Sequence, residues 1–181
     1  MPFCIRSKRA PRPGALFVFG CLLGIALPVT ARDCPVPGDG EPVRVARVYD
    51  GDTVKLADGR RLRLIGVNAP ETGHGNLQPQ PLAAEARAML ESLLDRQNHT
   101  LTFHHGTKQH DHYGRLLAHA LLEDGSNLAV QLLERGLATA LAVPPNTSAA
   151  DCYSAIEHKA RLAGLGIWSL PRYRAVAAAE L

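Results

Sequence analysis

The stretch VRVARVYDGDTVKLADGRRLRLIGV, residues 43–67, decides the fold, because it predicts three short strands in immediate succession. Valines alternate with arginines over residues 43–48, and runs of strand-forming residues follow at 53–56 and 61–67. The pair Asp58-Gly59 between those two runs favours a tight hairpin, since both residues tolerate positive φ angles. Three contiguous strands with so little sequence between them indicate a small sheet at the start of the domain.

The rest of the sequence mixes helices with strands. Apolar residues at helical spacing predict helices, and alternating runs bounded by turn residues predict strands. The predicted segments are helix 82–94, strand 98–103, a His/Asp/Gly-rich loop 104–114, strand 115–122, helix 128–135 and helix 149–162. The expected fold class is therefore α+β, with a small closed five-stranded sheet and three helices. The pattern alone leaves open whether the sheet is an OB-type barrel or another small barrel.

Composition narrows the class of protein. The chain has 181 residues, of which 46% are hydrophobic and 20% charged, which fits one globular domain and excludes fibrous and disordered classes. The formal net charge is +3, but residues 1–31 carry four basic residues and no acid, and without them 16 Lys and Arg stand against 17 Asp and Glu. Any argument for nucleic-acid binding must therefore come from local residues.

The N-terminal segment has the pattern of a secretory signal peptide. Residues 1–14 are basic, residues 15–29 are almost entirely apolar, and Val29-Thr30-Ala31 provides small residues for cleavage after Ala31. An uncleaved anchor is the alternative, but the apolar run is shorter than the roughly 20 residues of a spanning helix. We therefore expect a periplasmic or secreted protein that has no membrane attachment once residues 1–31 are removed.

Two cysteines remain after that cleavage. It would remove Cys4 and Cys21 and leave Cys34 and Cys152 in an oxidising compartment, where they are expected to form a disulfide. Two unpaired buried thiols are the alternative. The expected organisation of the remaining chain is a Pro/Gly-rich lead-in over 32–42, one domain over 43–170 and a tail over 171–181.

Two clusters in the first half carry chemistry. In Asp50-Gly51-Asp52, two carboxylates two residues apart can present oxygen to Ca²⁺ or Mg²⁺, although an isolated pair of this kind is more often a turn. Further along, Arg63 shares a strand face with apolar residues, which calls for an anionic partner. Pro70 then ends that strand and holds Glu71 just beyond it.

The third cluster is Asp111-His112-Tyr113-Gly114-Arg115, a polar loop that enters a strand. Arg115 offers a planar fork of donors that suits a phosphate group. Together with Arg63, a glutamate and a cation site, it forms a set suited to phosphodiester hydrolysis: a metal polarises the phosphoryl oxygens, a carboxylate accepts a proton from water, and guanidinium groups stabilise the growing charge. A transition-metal site among the histidines of 104–112 is the alternative there, but their spacing matches no familiar zinc pattern.

Four motifs now resemble, in order and spacing, those of the staphylococcal nuclease (thermonuclease) family. They are VYDGDTV at 48–54, RLIGVNAPET at 63–72, DHYGR at 111–115 and GIWS at 166–169, and the resemblance covers about residues 43–169. It implies an OB-fold barrel with three helices and Ca²⁺-dependent cleavage of DNA and RNA to products that end in 3′-phosphate. It implies no stable protein partner, and a monomer is expected.

The resemblance also implies a calcium site. By position, Asp52 would be a direct carboxylate ligand and Ala69 would contribute its backbone carbonyl. Asn68 stands where the family usually has a second carboxylate, so one negative charge is missing from the ligand set.

The same resemblance assigns the catalytic and substrate-binding positions. Glu71 would be the general base, and Arg63 and Arg115 would grip the scissile phosphate. Tyr113 would bind a terminal phosphate, and His112 stands where the best-known member has a lysine.

Departures from the family pattern leave a rival reading open. The usual nucleotide-stacking tyrosine is missing around 141–143, and the amide at Asn68 weakens the metal site. A non-catalytic nucleic-acid-binding OB module is therefore the main alternative, and an envelope structural domain is a further one. Against both, a protein without catalysis would have no need of Arg63, Glu71 and Arg115 together.

Overall fold

The structure is a computed structural model that describes residues 34–73 and 75–173. The predicted signal peptide at 1–31 lies outside the described residues, as does most of the predicted tail, from 174 to 181. Within the described ranges, no helix has both the length and the apolar character required to cross a membrane.

Strands and helices follow one another closely along the chain. In order they are β1 (Gly40–Asp50), β2 (Thr53–Leu56), β3 (Arg61–Leu64), β4 (Val67–Asn68), α1 (Ala83–Asp95), β5 (Thr100–His110), β6 (Leu116–Leu121), α2 (Leu128–Glu134), β7 (Thr139–Ala140), α3 (Ala150–Leu162) and a 3₁₀ turn (Gly166–Ser169).

Five of the strands close into a barrel in the order β1-β2-β3-β6-β5. The pairs are antiparallel except β3 with β6, which run parallel. The predicted α+β fold, a five-stranded OB-fold barrel accompanied by α helices, is confirmed. Closing the barrel leaves no open edge, so its backbone hydrogen bonds are satisfied within the sheet.

The core fills the barrel and the space between the barrel and the helices. Leu62, Leu101 and Phe103 point into it and are completely buried. The apolar face of α1 adds Leu90 and Leu94, also completely buried. Each such side chain contributes roughly 1.5–3 kcal/mol to folding, so these contacts hold the strand ends where polar residues gather.

One strand is longer than its sequence suggests. We expected residues 104–114 to be a loop, but β5 continues to His110, so that prediction is wrong for 104–110. Gly40 of β1 pairs with His104, and His110 pairs with Leu116 of β6. Pairing with β1 ends at His104, and beyond it the backbone of β6 stabilises an extended conformation that the polar side chains do not favour by themselves. Pairing with β5 likewise extends β1, which begins at Gly40, before the predicted start at 43.

Another strand is shorter than predicted. The expected strand 61–67 stops at Leu64, and residues 67–68 form the separate strand β4, which pairs with β7. Gly66 causes the break, because its φ is +84° and a Cβ at this position would lie 2.3 Å from the ring of Tyr153. The chain therefore turns away from the barrel and carries Asn68 towards Asp52.

The helices are tied to the barrel and to the start of the described chain. Asn127 caps α2 by accepting hydrogen bonds from the N–H groups of Ala129 and Val130, and its amide donates to the Tyr153 hydroxyl on α3. The same hydroxyl lies 3.0 Å from Nδ1 of the buried His119 on β6. On α3, Cys152 forms a disulfide with Cys34, 118 positions earlier in the sequence.

Candidate active site

The turn between β1 and β2 brings Asp52 into the interior at one end of the barrel. Gly51 allows this turn to lie against the rest of the protein, since a Cβ there would be 2.8 Å from the Cβ atoms of both Ala69 and Ala86. Asp52 itself is only 1% exposed. A carboxylate so fully removed from water requires cationic or hydrogen-bonding partners.

Arg63 on β3 supplies the charged partner. Its Nη1 lies 3.0 Å from Oδ2 of Asp52 and donates to the carbonyls of Leu64 and Val67 at 3.1 and 2.8 Å. The strand register explains this contact, because Arg63 pairs directly with Thr53, the neighbour of Asp52. The guanidinium is thus held in one orientation by the ion pair and by the backbone that leaves β3.

The segment after β3 completes the surroundings of Asp52. The backbone N–H of Ala69 donates to Oδ2 of Asp52 at 2.6 Å, and the Thr53 hydroxyl donates to Oδ1 at 3.0 Å. Burial raises the pKa of Asp52, and Arg63 and these two donors offset part of that rise. Asn68 lies on the other side of the guanidinium, where its Oδ1 accepts from Nη2 of Arg63 at 2.9 Å. The structure therefore brings Asp52, Arg63, Asn68 and Ala69 together at this end of the barrel.

Asp50, which the sequence offered with Asp52 as an oxygen donor but to which the family resemblance gave no role, is a further buried carboxylate at this end of the barrel. Its Oδ1 accepts from the hydroxyl and the N–H of Thr72 at 2.6 and 3.2 Å. These bonds connect β1 to the segment that carries Glu71. The aspartates on either side of Gly51 are visible in the sequence. Sequence alone, however, does not distinguish an aspartate that accepts hydrogen bonds from Thr72 from one that binds a metal.

Glu71 lies beside this cluster, and the rest of the protein covers its side chain only in part. Its backbone N–H donates to the side chain of Gln80 at 3.1 Å, which fixes the main chain beyond Pro70. Partial burial raises the pKa of Glu71, and the nearby carboxylates of Asp50 and Asp52 raise it further. A higher pKa makes a carboxylate a better proton acceptor, which suits a general base.

Arg115 enters the site from the start of β6. Its Nε lies 2.7 Å from Oδ2 of Asp111, and Oδ1 of Asp111 accepts from the N–H groups of Tyr113 and Arg115 at 2.9 Å each. Asp111 therefore shapes the loop and orients the guanidinium. The Nη atoms of Arg115 make no hydrogen bond with any residue that the structure describes, which leaves them to bind a ligand.

Arg63 and Arg115 line one cleft of about 310 Å³. Its polar side includes Lys108, Asp111 and His112, and its apolar side consists of residues such as Leu141, Val143 and Pro144. A cleft that two arginines line together with apolar residues suits a phosphate that carries an organic group.

The two predicted substrate-binding residues differ in position. His112 lines the cleft, whereas Tyr113 is 69% exposed and is not among the lining residues. Tyr113 is held at the rim: its ring lies 3.7 Å from that of His112, and the Arg115 guanidinium lies 5.4 Å above it.

Asn146 fixes the apolar wall and was missed by sequence reasoning. Its side-chain amide accepts from the N–H of Lys108 and donates to the carbonyl of Lys108, both at 2.9 Å. The Asn146 side chain thus bonds both backbone groups of Lys108, as a neighbouring strand would, and connects the turn at 143–146 to β5. Nothing in an isolated Pro-Pro-Asn sequence indicates such a distant backbone partner.

The donor set near Asp52 fits a hard cation such as Ca²⁺. Asp52, the Asn68 side-chain carbonyl and the Ala69 backbone carbonyl can each offer oxygen, the donor that such cations take. The Arg63 guanidinium already contacts Asp52 and Asn68, so a bound cation would share these two side chains with it. Over residues 34–73 and 75–173, no group of three or more His, Cys, Asp or Glu has metal-binding geometry. A cation here would therefore be bound by one carboxylate, neutral oxygens, water and substrate.

Comparisons with known proteins agree with this geometry. Residues 61–170 match the family model described as staphylococcal nuclease homologue. The chain is 37% identical to a thermonuclease of Staphylococcus intermedius over 132 residues, which is 71% of this chain and 77% of that protein. It is 35% identical to the endonuclease YncB of Bacillus subtilis over 72% of this chain and 63% of that protein, and so spans less than two thirds of that relative. It is also 32% identical to an uncharacterized endonuclease of Escherichia coli O157:H7 over 70% of this chain and 76% of that protein.

The barrel, the paired arginines and these relatives all lead to one assignment. The chain belongs to the staphylococcal nuclease family and is a nuclease of the thermonuclease-like type.

Proposed function

We propose that this chain is an exported, calcium-dependent nuclease that hydrolyses phosphodiester bonds of DNA and RNA and leaves 3′-phosphate ends. The observation that carries the proposal is that Arg63 and Arg115 line one cleft. Glu71 is close enough to both arginines for their charges to lower its pKa, against the stronger effects that raise it. DNA and RNA are the substrates proposed because the recognised group is the phosphate that both share.

The arginines bind the scissile phosphate. The negative charge on its equatorial oxygens grows in the transition state, and two fixed guanidinium groups stabilise that charge without reorganising. Arg63 is held by Asp52, Asn68 and two carbonyls, so it can donate only its remaining N–H groups. Arg115 keeps its Nη groups available because Asp111 engages only Nε.

Glu71 accepts the proton of the attacking water. The water oxygen forms a bond to phosphorus, the bond from phosphorus to the 5′ oxygen breaks, and that oxygen leaves as a hydroxyl after taking up a proton. The products are a 3′-phosphate and a 5′-hydroxyl end. The carboxylates that raise the pKa of Glu71 make it a stronger base than an isolated glutamate.

Asp52, Asn68 and the Ala69 carbonyl would hold Ca²⁺ beside this cleft. The ion supplies positive charge that polarises a phosphoryl oxygen when it is bound. His112 and Tyr113, at the mouth of the cleft, are proposed to contact the next phosphate of the substrate.

The export proposal rests on the N-terminal sequence and is supported by the disulfide between Cys34 and Cys152, a bond typical of oxidising compartments. The protein would act in the periplasm or outside the cell, as a monomer with no membrane attachment and no stable protein partner. An anchor that is not cleaved is the alternative.

A non-catalytic nucleic-acid-binding OB module is the second candidate. The observation that favours it is the scarcity of charge at the cation site, where Asp52 is the only carboxylate among the proposed ligands and is already paired with Arg63. Such a module would bind oligonucleotides in a salt-dependent manner and leave them intact.

The decisive experiment uses purified residues 32–181 with single-stranded DNA, duplex DNA and RNA, each in Ca²⁺, Mg²⁺ or EDTA. We expect Ca²⁺-dependent cleavage of all three and 3′-phosphate ends, which a phosphatase can remove before 3′ extension. The Glu71→Gln variant serves as the inactive control. Binding without cleavage in every metal would favour the second candidate, and cleavage that persists in EDTA would exclude the calcium site.

A further inference from the structure

Three cations form a row across the outside of the barrel. Arg47 on β1 pairs directly with Lys55 on β2, and Lys55 pairs directly with Arg61 on β3. All three side chains are exposed. Since neighbouring strands lie about 4.8 Å apart, this basic row (Arg47, Lys55 and Arg61) spans about 10 Å.

The basic row has an electrostatic cost that no ion pair within the described residues offsets, although the Arg47 guanidinium lies 5.2 Å from the centre of the Tyr49 ring. Like charges directly opposite one another destabilise a sheet. Across the described residues, no carboxylate lies within ion-pair distance of any of its three members, whereas the adjacent Arg60 is paired with Asp58 at 2.7 Å and with Glu41 at 2.9 Å. The basic row therefore differs from Arg60, because its three members have no carboxylate partner among the described residues and can bind an external anion.

The acids nearest to the row have their own partners. Arg47 shares a shallow cleft with Glu91 and Asp95 of α1. Glu91 lies 2.9 Å from Arg87, and Asp95 lies 3.3 Å from His99. Neither acid lies within ion-pair distance of Arg47, so the helix beside β1 forms no salt bridge with the row.

The basic row continues from the active site. On β2 and β3, the pair Lys55 and Arg61 lies two residues from the pair Thr53 and Arg63. Residues two apart on a strand share a face and have Cα atoms about 7 Å apart. Arg61 thus lies beside Arg63 on the outer face of the same strand, and the row leads away from the scissile phosphate across β2 to β1.

We propose that the basic row is an ancillary phosphate-binding surface that holds the backbone of the substrate strand beyond the position of cleavage. This inference rests on the proposed nuclease function. A ligand that fits three like charges over about 10 Å must carry several closely spaced anions, as a nucleic-acid strand does and a single phosphate does not. The row therefore binds long substrates and leaves the chemistry of the cleaved bond to Arg63 and Arg115.

The test compares two triple variants with equal loss of charge. The first combines Arg47→Gln, Lys55→Gln and Arg61→Gln. The matched control combines Arg135→Gln, Lys159→Gln and Arg172→Gln, three exposed cations on the helical side of the chain. Fluorescence anisotropy with a labelled single-stranded 20-mer in EDTA measures binding without cleavage, and turnover of the 20-mer and of a dinucleotide measures catalysis.

Each phosphate contact contributes about 0.7 to the slope of log K against log salt for a single strand. The row variant should therefore lose about 2 from that slope, and its Kd for the 20-mer should rise at least about tenfold at 0.15 M salt, while the control changes less than about twofold. The KM for the 20-mer should rise, and kcat/KM for the dinucleotide should stay within about twofold of wild type.

Several results would overturn the proposal. Equal losses in both variants would indicate a general charge effect, and a parallel loss on the dinucleotide would indicate damage to the active site. Unchanged binding of the 20-mer, accompanied by lost binding to vesicles that contain anionic lipid, would assign the row to a membrane surface instead. If wild type cleaves neither substrate, the proposed function fails, but the anisotropy comparison still tests the row by itself.

Discussion

Arg63 has two roles in this protein, and replacing it with lysine separates them. Its guanidinium contacts Asp52, Asn68 and the carbonyls of Leu64 and Val67, and it also faces the cleft. Lysine can keep the ion pair with Asp52 but cannot reach all four acceptors, nor can it bind a phosphate through two parallel hydrogen bonds. Arg115→Lys is the natural comparison, because Arg115 is half-buried and Asp111 is its one ion-pair partner among the described residues.

The magnitudes follow from these contacts. A hydrogen bond to a charged group contributes about 1.5–3 kcal/mol, so Arg63→Lys, which loses the bond to Asn68 and weakens those to the carbonyls, should lower the free energy of unfolding by about 2 kcal/mol. Arg115→Lys should lower it by less than about 1 kcal/mol, as expected for a partly exposed ion pair. Both variants should lose at least about tenfold in kcat, or roughly 1.4 kcal/mol of transition-state stabilisation.

Urea denaturation measures the change in the free energy of unfolding, and initial rates on single-stranded DNA at saturating Ca²⁺ measure the change in kcat. The expected pattern is two slow enzymes, of which only Arg63→Lys is less stable. Near-wild-type rates for both would refute the phosphate-binding assignment. A stability loss as large for Arg115→Lys as for Arg63→Lys would refute the reasoning from the contacts of Arg63.

The remaining predictions concern the base, the cation site, a buried histidine and the disulfide. Glu71→Gln should reduce kcat roughly 10²-fold with unchanged stability, because the amide cannot accept the proton, and a normal rate would make Glu71 an ordinary surface residue. Asn68→Asp adds a negative charge to the proposed ligand set and should lower the Ca²⁺ concentration for half-maximal cleavage by about tenfold; a Ca²⁺ titration with no shift would remove position 68 from the site. Burial of His119, with His104 as a lesser cause, lowers its pKa from 6.5 to about 4. Protonation of His119 therefore favours the unfolded state. The free energy of unfolding should be highest above pH 6.5 and should fall by about 3 kcal/mol between pH 6.5 and 4. In His119→Gln, the urea midpoint should depend less on pH over this range. Reduction of the Cys34 and Cys152 bond should lower stability by about 2–4 kcal/mol, and two freely alkylated thiols in the native protein would contradict the bond.

Local sequence predicted most of the barrel because each strand carries its own signal. The turn residues between β2 and β3 and the alternating valines of β1 are features that a chain expresses without tertiary help. The far half of β5 has no such signal: its histidines, lysine and glutamine resemble a loop, and its extended conformation depends on pairing with β6, since the partners on β1 end at His104. Long-range pairing of this kind is not encoded in a window of ten residues.

The same distinction applies to the site. The apolar residues on its strand predicted that Arg63 needs an anionic partner. They could not predict that the partner is Asp52, because this contact depends on the register of β2 with β3. Asp111 as the partner of Arg115 lies four residues away and was within reach of local reasoning. The bonds from Asn146 to Lys108 span 38 positions and depend on the closed barrel.

The disulfide joins two points that enclose nearly all of the described chain, from residue 34 near its start to α3. A protease that cuts one peptide bond anywhere between them produces two fragments that remain one covalent molecule. The exposed segment at 75–81, just before α1, is the kind of place where such a cut occurs. The bond would keep the strands of a nicked molecule close to one another, so a single cut need not abolish its fold or its activity.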